Sequence, residues 1–304
     1  MPTISELSKQ PGLINEAIEK RQDALGRALS EEEREIYFSL LSGIVEKLTF
    51  DKDGKVKRTA KNLLLISQVD KVFDEWAEKR GRGLIKEFTE DLLAVAGMTA
   101  LMYDGEADEA ELEAITADNL LILAALGASA AGEILKGGYL WEMWRANQVR
   151  QELKSVLLSA IQSRQTLKNL QKTVREFAVG TGSGGKLLEF WQVFGLDTFN
   201  RVQEMKNEQF RERLDLHWFI YVGDVIKNTR DFCRPKAGGV FADVEADTEW
   251  PKDPDLPGKT SGIPYTPRID RGRWNCRHRI RYITRELAMQ LDPNKVETIE
   301  KRYN

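Results

Sequence analysis

The chain has 304 residues, and its 45 basic and 48 acidic side chains give a formal charge of -3, so whole-chain electrostatics do not call for nucleic acid or a membrane surface. Two cysteines in a chain of this length exclude a secreted disulfide scaffold, and Met1 to Arg21 holds no apolar stretch of the signal-peptide kind, so synthesis in a reducing cytoplasm is expected. The length exceeds one average domain and predicts either two domains or a large helical body with an appended module.

From Gly12 to about Arg213 the dominant period is helical. Ser30-Glu31-Glu32-Glu33 has the form of a capping box, which predicts a helix start there. Ile36, Tyr37, Leu40, Leu41, Ile44, Val45 and Leu48 then make its apolar stripe. Asp51-Lys52-Asp53-Gly54-Lys55 reads as a turn. Its Asp-x-Asp-Gly pattern hints at a calcium loop, but Asn62 stands where the twelfth loop position needs a glutamate, and turn chemistry explains the segment better. Leu65, Val69, Val72, Phe73 and Trp76 resume helical spacing and predict a helical hairpin. Two further helices are expected over Leu84 to Met102 and Ala107 to Leu126, with Gly97 and Gly127 suited to close packing. The small-apolar run from Leu120 to Gly132 falls short of the about 20 residues that span a bilayer and reads as a buried helix, so no membrane partner is expected.

The strongest periodic signal is Val149, Leu153, Val156, Ala160, Ser163, Leu167, Leu170, Val174 and Phe177, in alternating steps of four and three. It predicts one helix of roughly 40 Å, at about 1.5 Å per residue, packed lengthwise on another. The seam is filled either within the subunit or by self-association, and the sequence leaves both open. Gly180 to Gly185 then breaks the helix before an amphipathic stretch from Leu187 to about Arg213, and a hinge is expected there. Gly180-x-x-x-x-Gly185-Lys186 superficially matches a phosphate-binding loop, but Leu187 replaces the hydroxyl residue that holds magnesium and a helix precedes the loop where a strand is needed. After Asp215 the texture changes: Trp218 to Val222 reads as a strand, and most prolines fall between Pro235 and Pro267. The expected fold is therefore mainly α: a long-helix N-terminal body (1–179), a glycine-rich hinge and amphipathic helix (180–214) and a small α+β C-terminal module (215–304).

Both cysteines lie in that module. Cys276 to Ile283 looks like a strand whose alternation puts Cys276, His278, Ile280 and Tyr282 on a buried face and Arg277, Arg279 and Arg281 on the other. Cys276 and His278 could supply two zinc ligands and Cys233 a third, with Asp231, Asp270 or His217 as candidates for a fourth. A Cys233–Cys276 disulfide, and packed thiols beside a hydrogen-bonded histidine, are the alternatives, and packed thiols without cofactor are the preferred reading. Cys276 with His278 could also serve as a catalytic pair, but no third group is placed to orient the imidazole and no carboxylate pair has catalytic spacing, so no enzyme is expected. Between Arg268 and Arg285 seven arginines face one acid before Glu286. Arg271, Arg273, Arg277, Arg279 and Arg281 are accordingly candidate contacts for phosphate or an acidic partner, the competing reading being pairing with acids such as Asp224, Asp231 and Asp243.

Over Tyr221 to Arg285 the chain resembles the Mu F-like minor head proteins of tailed bacteriophages, also called head morphogenesis proteins. Two linked elements carry the resemblance: Thr229, Arg230, Asp231 and Cys233 followed by Ala237, Gly238 and Phe241, and later Asn275, Cys276, Arg277 and His278. Family members with Cys-x-x-Cys in the first element look zinc-binding, whereas Lys236 stands in the second cysteine's place here. Some relatives carry further enzyme domains at the C-terminus, and none is expected before Asn304. The resemblance implies a structural protein of the virion head or portal vertex, present in the host cytoplasm during assembly. Its implied partners are the portal, scaffold or major capsid protein, with packaged DNA met through Arg268 to Arg285. It also implies that Cys233, Cys276 and His278 hold the two elements together. The competing expectations are a metal- or cysteine-dependent enzyme built on those three residues and a free-standing, salt-sensitive DNA binder.

Overall fold

The computed structural model describes residues 3–104, 106–182, 184–259, 264–274 and 276–303. In chain order the first helices are α1 (Ile4–Leu7), α2 (Lys9–Gly43), α3 (Ala60–Leu65), α4 (Gln68–Trp76), α5 (Arg82–Gly97) and α6 (Glu109–Ala117). There follow α7 (Leu120–Leu126), α8 (Tyr139–Trp144), α9 (Asn147–Gln162), α10 (Leu167–Ala178) and α11 (Lys186–Arg213). The remainder reads β1 (Trp218–Val222), β2 (Val240–Ala242), α12 (Asp243–Glu249), α13 (Pro267–Asp270), β3 (Arg279–Ile283), α14 (Arg285–Leu291) and α15 (Pro293–Tyr303). The protein is thus mainly α with a small antiparallel sheet near the C-terminus, the expected class. Among the described residues no helix is long and apolar enough to cross a membrane.

The chain divides into two compact units, and the division differs from the sequence-based boundaries. One unit is wholly helical, Gln22–Glu90 with Leu123–Phe194; the other comprises Met1–Arg21, Asp91–Ile122 and Gly195–Asn304 and contains the sheet. The expected boundary at 214 does not coincide with this division: Phe199, Val202, Lys206, Asn207 and Phe210, all on α11, are buried and belong to the sheet unit.

In the helical unit the predicted stripe holds, with Ile36, Leu40, Ile44, Val45 and Leu48 buried. The predicted helix start at Ser30 does not. Helix α2 runs through it, because Ser30 Oγ donates to the Gly26 carbonyl and Glu33 turns to other partners, described below. The turn at 51–55 is built as expected: Asp51 Oδ1 accepts from the Asp53 and Lys55 amides, and Gly54 takes φ 70. Asn62, fully buried, closes the loop by accepting from the Thr49 amide and donating to the Thr49 and Lys57 carbonyls.

The single 40 Å helix expected over 149–177 is two helices. The chain reverses at Ser163 to Gln165, where Arg164 takes φ 53, the Gln165 amide donates to the Ala160 carbonyl and Thr166 caps α10 through the Asn169 amide. The seam residues Val149, Leu153, Ala160, Leu170 and Val174 are buried within the unit, while Leu167 is exposed. Heptad spacing cannot distinguish a long helix from a hairpin whose turn falls on the seam's one polar position, Ser163.

In the sheet unit β1 is the central strand, with β2 and β3 antiparallel on either side. Alternation gives it two faces. Trp218, Ile220 and Val222 join Val240, Ala242 and Ile283 in a core completed by Ala288, Val296 and Ile299 and by Leu7. Phe219 and Tyr221 lie on the opposite face, where Phe219 meets Tyr282 and Trp250 edge to face and Tyr221 stacks on His278. The ladder in β3 begins at Arg279, three residues later than the strand read from the sequence.

Candidate functional site

The two sequence elements meet beside β1. The turn at 231–238 is sewn to that strand by the Gly238 amide on the Tyr221 carbonyl and the Tyr221 amide on the Gly239 carbonyl. Within the turn the Cys233 carbonyl accepts from the Lys236 and Ala237 amides, which fixes the sulfur's direction, and Gly238 takes φ 77. Thr229 Oγ1 accepts from the Ile226 amide at 2.8 Å. Arg230 then bridges the elements, donating from Nη1 to the Gly272 carbonyl at 3.0 Å and from Nη2 to the Trp274 carbonyl at 2.5 Å.

The bridge brings Cys233 Sγ to 4.0 Å from Cys276 Sγ, and His278 Nδ1 lies 4.0 Å from Cys276 Sγ. The three donor atoms all fall within 4.8 Å of one another and all three residues are buried. Both cysteines are free. Tyr221 Oη sits between the sulfurs, 3.4 Å from Cys233 and 3.5 Å from Cys276, and its ring stacks on the His278 imidazole at 5.1 Å with 7° between the planes. The hydrogen bond between the sulfurs makes the pair share a proton: it holds Cys276 well below the usual thiol range, helped by His278 and the nearby Arg271, and pushes Cys233 above it. Gly272 is packed on the pair, and a Cβ there would lie 2.5 Å from Cys233 Sγ and 3.1 Å from Cys276 Sγ. A groove of about 900 Å³ in this unit has Cys233, Cys276, His278, Asp224 and Arg230 in its wall.

Of the residues proposed from the sequence, Cys233, Cys276, His278, Thr229, Arg230 and Gly238 are thus brought together. Asp231 is exposed, and Asn275 lies outside the described residues. Of the candidate fourth ligands, His217 pairs with Asp243 and Asp215, and Asp270 accepts from the Thr266 amide. Lys236, in the place of a second cysteine, donates to Asp253 at 2.5 Å and to the Phe232 carbonyl.

The arginines require a correction. Arg271, Arg279 and Arg281 do not form a phosphate-contacting surface; all three are buried. Arg271 donates to Glu204 and to the His278 carbonyl, both at 2.6 Å. Arg279 donates to Asn15, Asn200 and Gln203, and Arg281 to Gln10 and the Leu7 carbonyl with Glu106 at 3.7 Å. Their face of the strand is covered by polar side chains of α2 and α11, so the alternation was read correctly and the exposure was not. Arg268 pairs with Glu208 and Asp247, and Arg285 with Glu300. Arg273 lies over the rings of Tyr265 and Trp274, and Arg277 is exposed beside Glu19 at 3.1 Å.

Sequence reading missed Tyr221, Gly272 and Glu204. Asn200, Gln203, Glu204 and Asn207 recur at helical spacing on α11, and that polar stripe inside an otherwise apolar face is the signal that buried arginines need partners. No protein-family model matches the chain, and no curated protein or solved structure matches it either.

Proposed function

We propose that the chain is a structural protein of a tailed-bacteriophage head, of the Mu F-like minor head class, acting in head morphogenesis. The observation that carries this reading is the junction of its two sequence elements: Arg230 bridges them and Cys233 and Cys276 lie side by side in a buried cluster. A site whose thiols are buried between two linked elements holds a module together more readily than it turns over substrate. His278 Nε2, which a catalytic histidine would anchor to an orienting group, has no hydrogen-bond partner among the described residues. The inward pairing of Arg271, Arg279 and Arg281 favours a protein partner, the portal, scaffold or inner capsid surface, over packaged DNA.

Mass spectrometry of purified virions and DNA-free proheads, with cross-linking, tests the reading. A few copies per particle, cross-linked to portal or inner capsid in both, are expected. Absence from both particles would overturn it.

A further inference from the structure

We propose that Cys233, Cys276 and His278 form a binding site for one divalent, thiolate-preferring metal ion of the zinc type, with the Tyr221 hydroxyl at the fourth corner. The inference goes beyond the phage reading and does not depend on it.

Geometry is the first argument. A tetrahedral ion with sulfur at about 2.3 Å and nitrogen or oxygen at about 2.0–2.2 Å has edges between its ligand atoms of roughly 3.4–3.8 Å. The edges here are 4.0 Å between the sulfurs, 4.0 Å from Cys276 Sγ to His278 Nδ1, and 3.4 and 3.5 Å from Tyr221 Oη to the two sulfurs. Donors from three separate segments gather here, with the two sulfurs and the imidazole all within 4.8 Å of one another, so a modest inward shift of side chains would close them on one ion.

Packing and chemistry are the second. Gly272 packs beside both sulfurs, where a side chain would intrude on the space between them. His278 Nε2 has no hydrogen-bond partner among the described residues, so no donor there holds the ring proton on Nδ1, and Nδ1 can offer its lone pair to an ion. Two sulfurs and an imidazole select zinc-like ions over magnesium or calcium, which prefer oxygen. The groove whose wall holds Cys233, Cys276 and His278 supplies a route of entry. Binding releases to solvent the proton that the sulfurs hold between them, and no oxidant or reductant takes part.

The test uses the full chain, reduced and freed of metal, titrated with Co²⁺ and then Zn²⁺. One equivalent of cobalt should give thiolate-to-metal charge transfer and the strong visible bands of a tetrahedral site, bleached by zinc, and zinc should raise the thermal midpoint of the unaltered chain. Cys276→Ser and His278→Ala should lose the bands. Because those variants could unfold, Tyr221→Phe serves as a second probe that keeps three ligands: it should retain zinc about tenfold or more weakly, with shifted bands. Three outcomes overturn the proposal: a folded, reduced wild-type chain without tetrahedral bands, bands that persist unchanged in folded Cys276→Ser, or a Cys233–Cys276 disulfide in protein purified under reductant.

Discussion

Arg271 and Glu204 meet at 2.6 Å with both side chains buried, and the same guanidinium nitrogen donates to the carbonyl of His278. The pair therefore couples α11 to the segment that presents Cys276. Removing one member of a buried pair strands the other, which costs about 3–5 kcal/mol. Arg271→Met should lower the free energy of unfolding in urea by that amount, read as a lower midpoint at unchanged dependence on urea. Arg271→Lys should recover only part, since a point charge replaces a fork. A loss under about 1 kcal/mol for the methionine variant would reduce the pair to the value of a surface contact.

Glu33 occupies the place where a phosphate-binding loop would hold its anion. Its carboxylate accepts from the Gly185 amide at 3.0 and 3.1 Å and from the Leu188 amide at 2.8 Å, so the start of α11 carries an internal anion. Around it Gly180 (φ 73) and Gly184 (φ 103) pack backbone to backbone, making a tight turn of the expected hinge. Burial raises the Glu33 carboxyl above its ordinary value of 4.5, against those two amides. The folded chain then holds this proton to higher pH than the unfolded chain, so stability falls as pH rises from about 4.5 through the raised value. Glu33→Gln keeps an acceptor and should flatten that slope. Glu33→Ala removes the cap and should cost about 1–2 kcal/mol. Thermal midpoints measured across the acid range for both variants check this.

A methyl group at Gly272 would collide with both sulfurs. Gly272→Ala should destabilise the chain by about 1–3 kcal/mol through overpacking and raise the reaction rate of the thiols with a disulfide reagent. Unchanged thiol reactivity would mean that the turn shifts without opening the cluster.

His217 lies 2.8 Å from Asp243 and 3.2 Å from Asp215. Its hydrogen bond to Asp243, foremost, raises the imidazole above the ordinary 6.5. The stabilisation is present in full below about pH 6.5 and is lost as pH rises through the raised value. Because the ring is half exposed, the effect should stay under about 1 kcal/mol. With two histidines in the chain, their proton resonances are readily assigned; Asp243→Asn should bring the His217 titration down toward its ordinary range.

Much of the fold was readable because periodicity reports burial directly. Trp218–Val222 and the helix at 186–213 lie where the change of texture after Asp215 and helical spacing put them. The cluster was readable because two cysteines and a histidine leave few combinations. What was not readable depended on partners distant in sequence. Ser30 and Glu33 satisfy a local capping rule, yet Glu33 serves amides more than 150 residues away. Arg279 and Arg281 have the composition of a surface patch until Asn15, Gln10 and the α11 stripe are placed over them. Local pattern specifies which face a residue occupies; only the assembled chain specifies what lies against that face.

Leu7 packs in the core with Val296 and Ile299, and its carbonyl accepts from Arg281, 274 residues on. Such closure is the kind of contact that forms late, since the entropy of joining distant segments must be met before packing rewards it. On the ribosome α1 must therefore wait, its leucine unsheltered, while the helical unit already has every segment it needs. The order of synthesis leaves the sheet as the last part to settle.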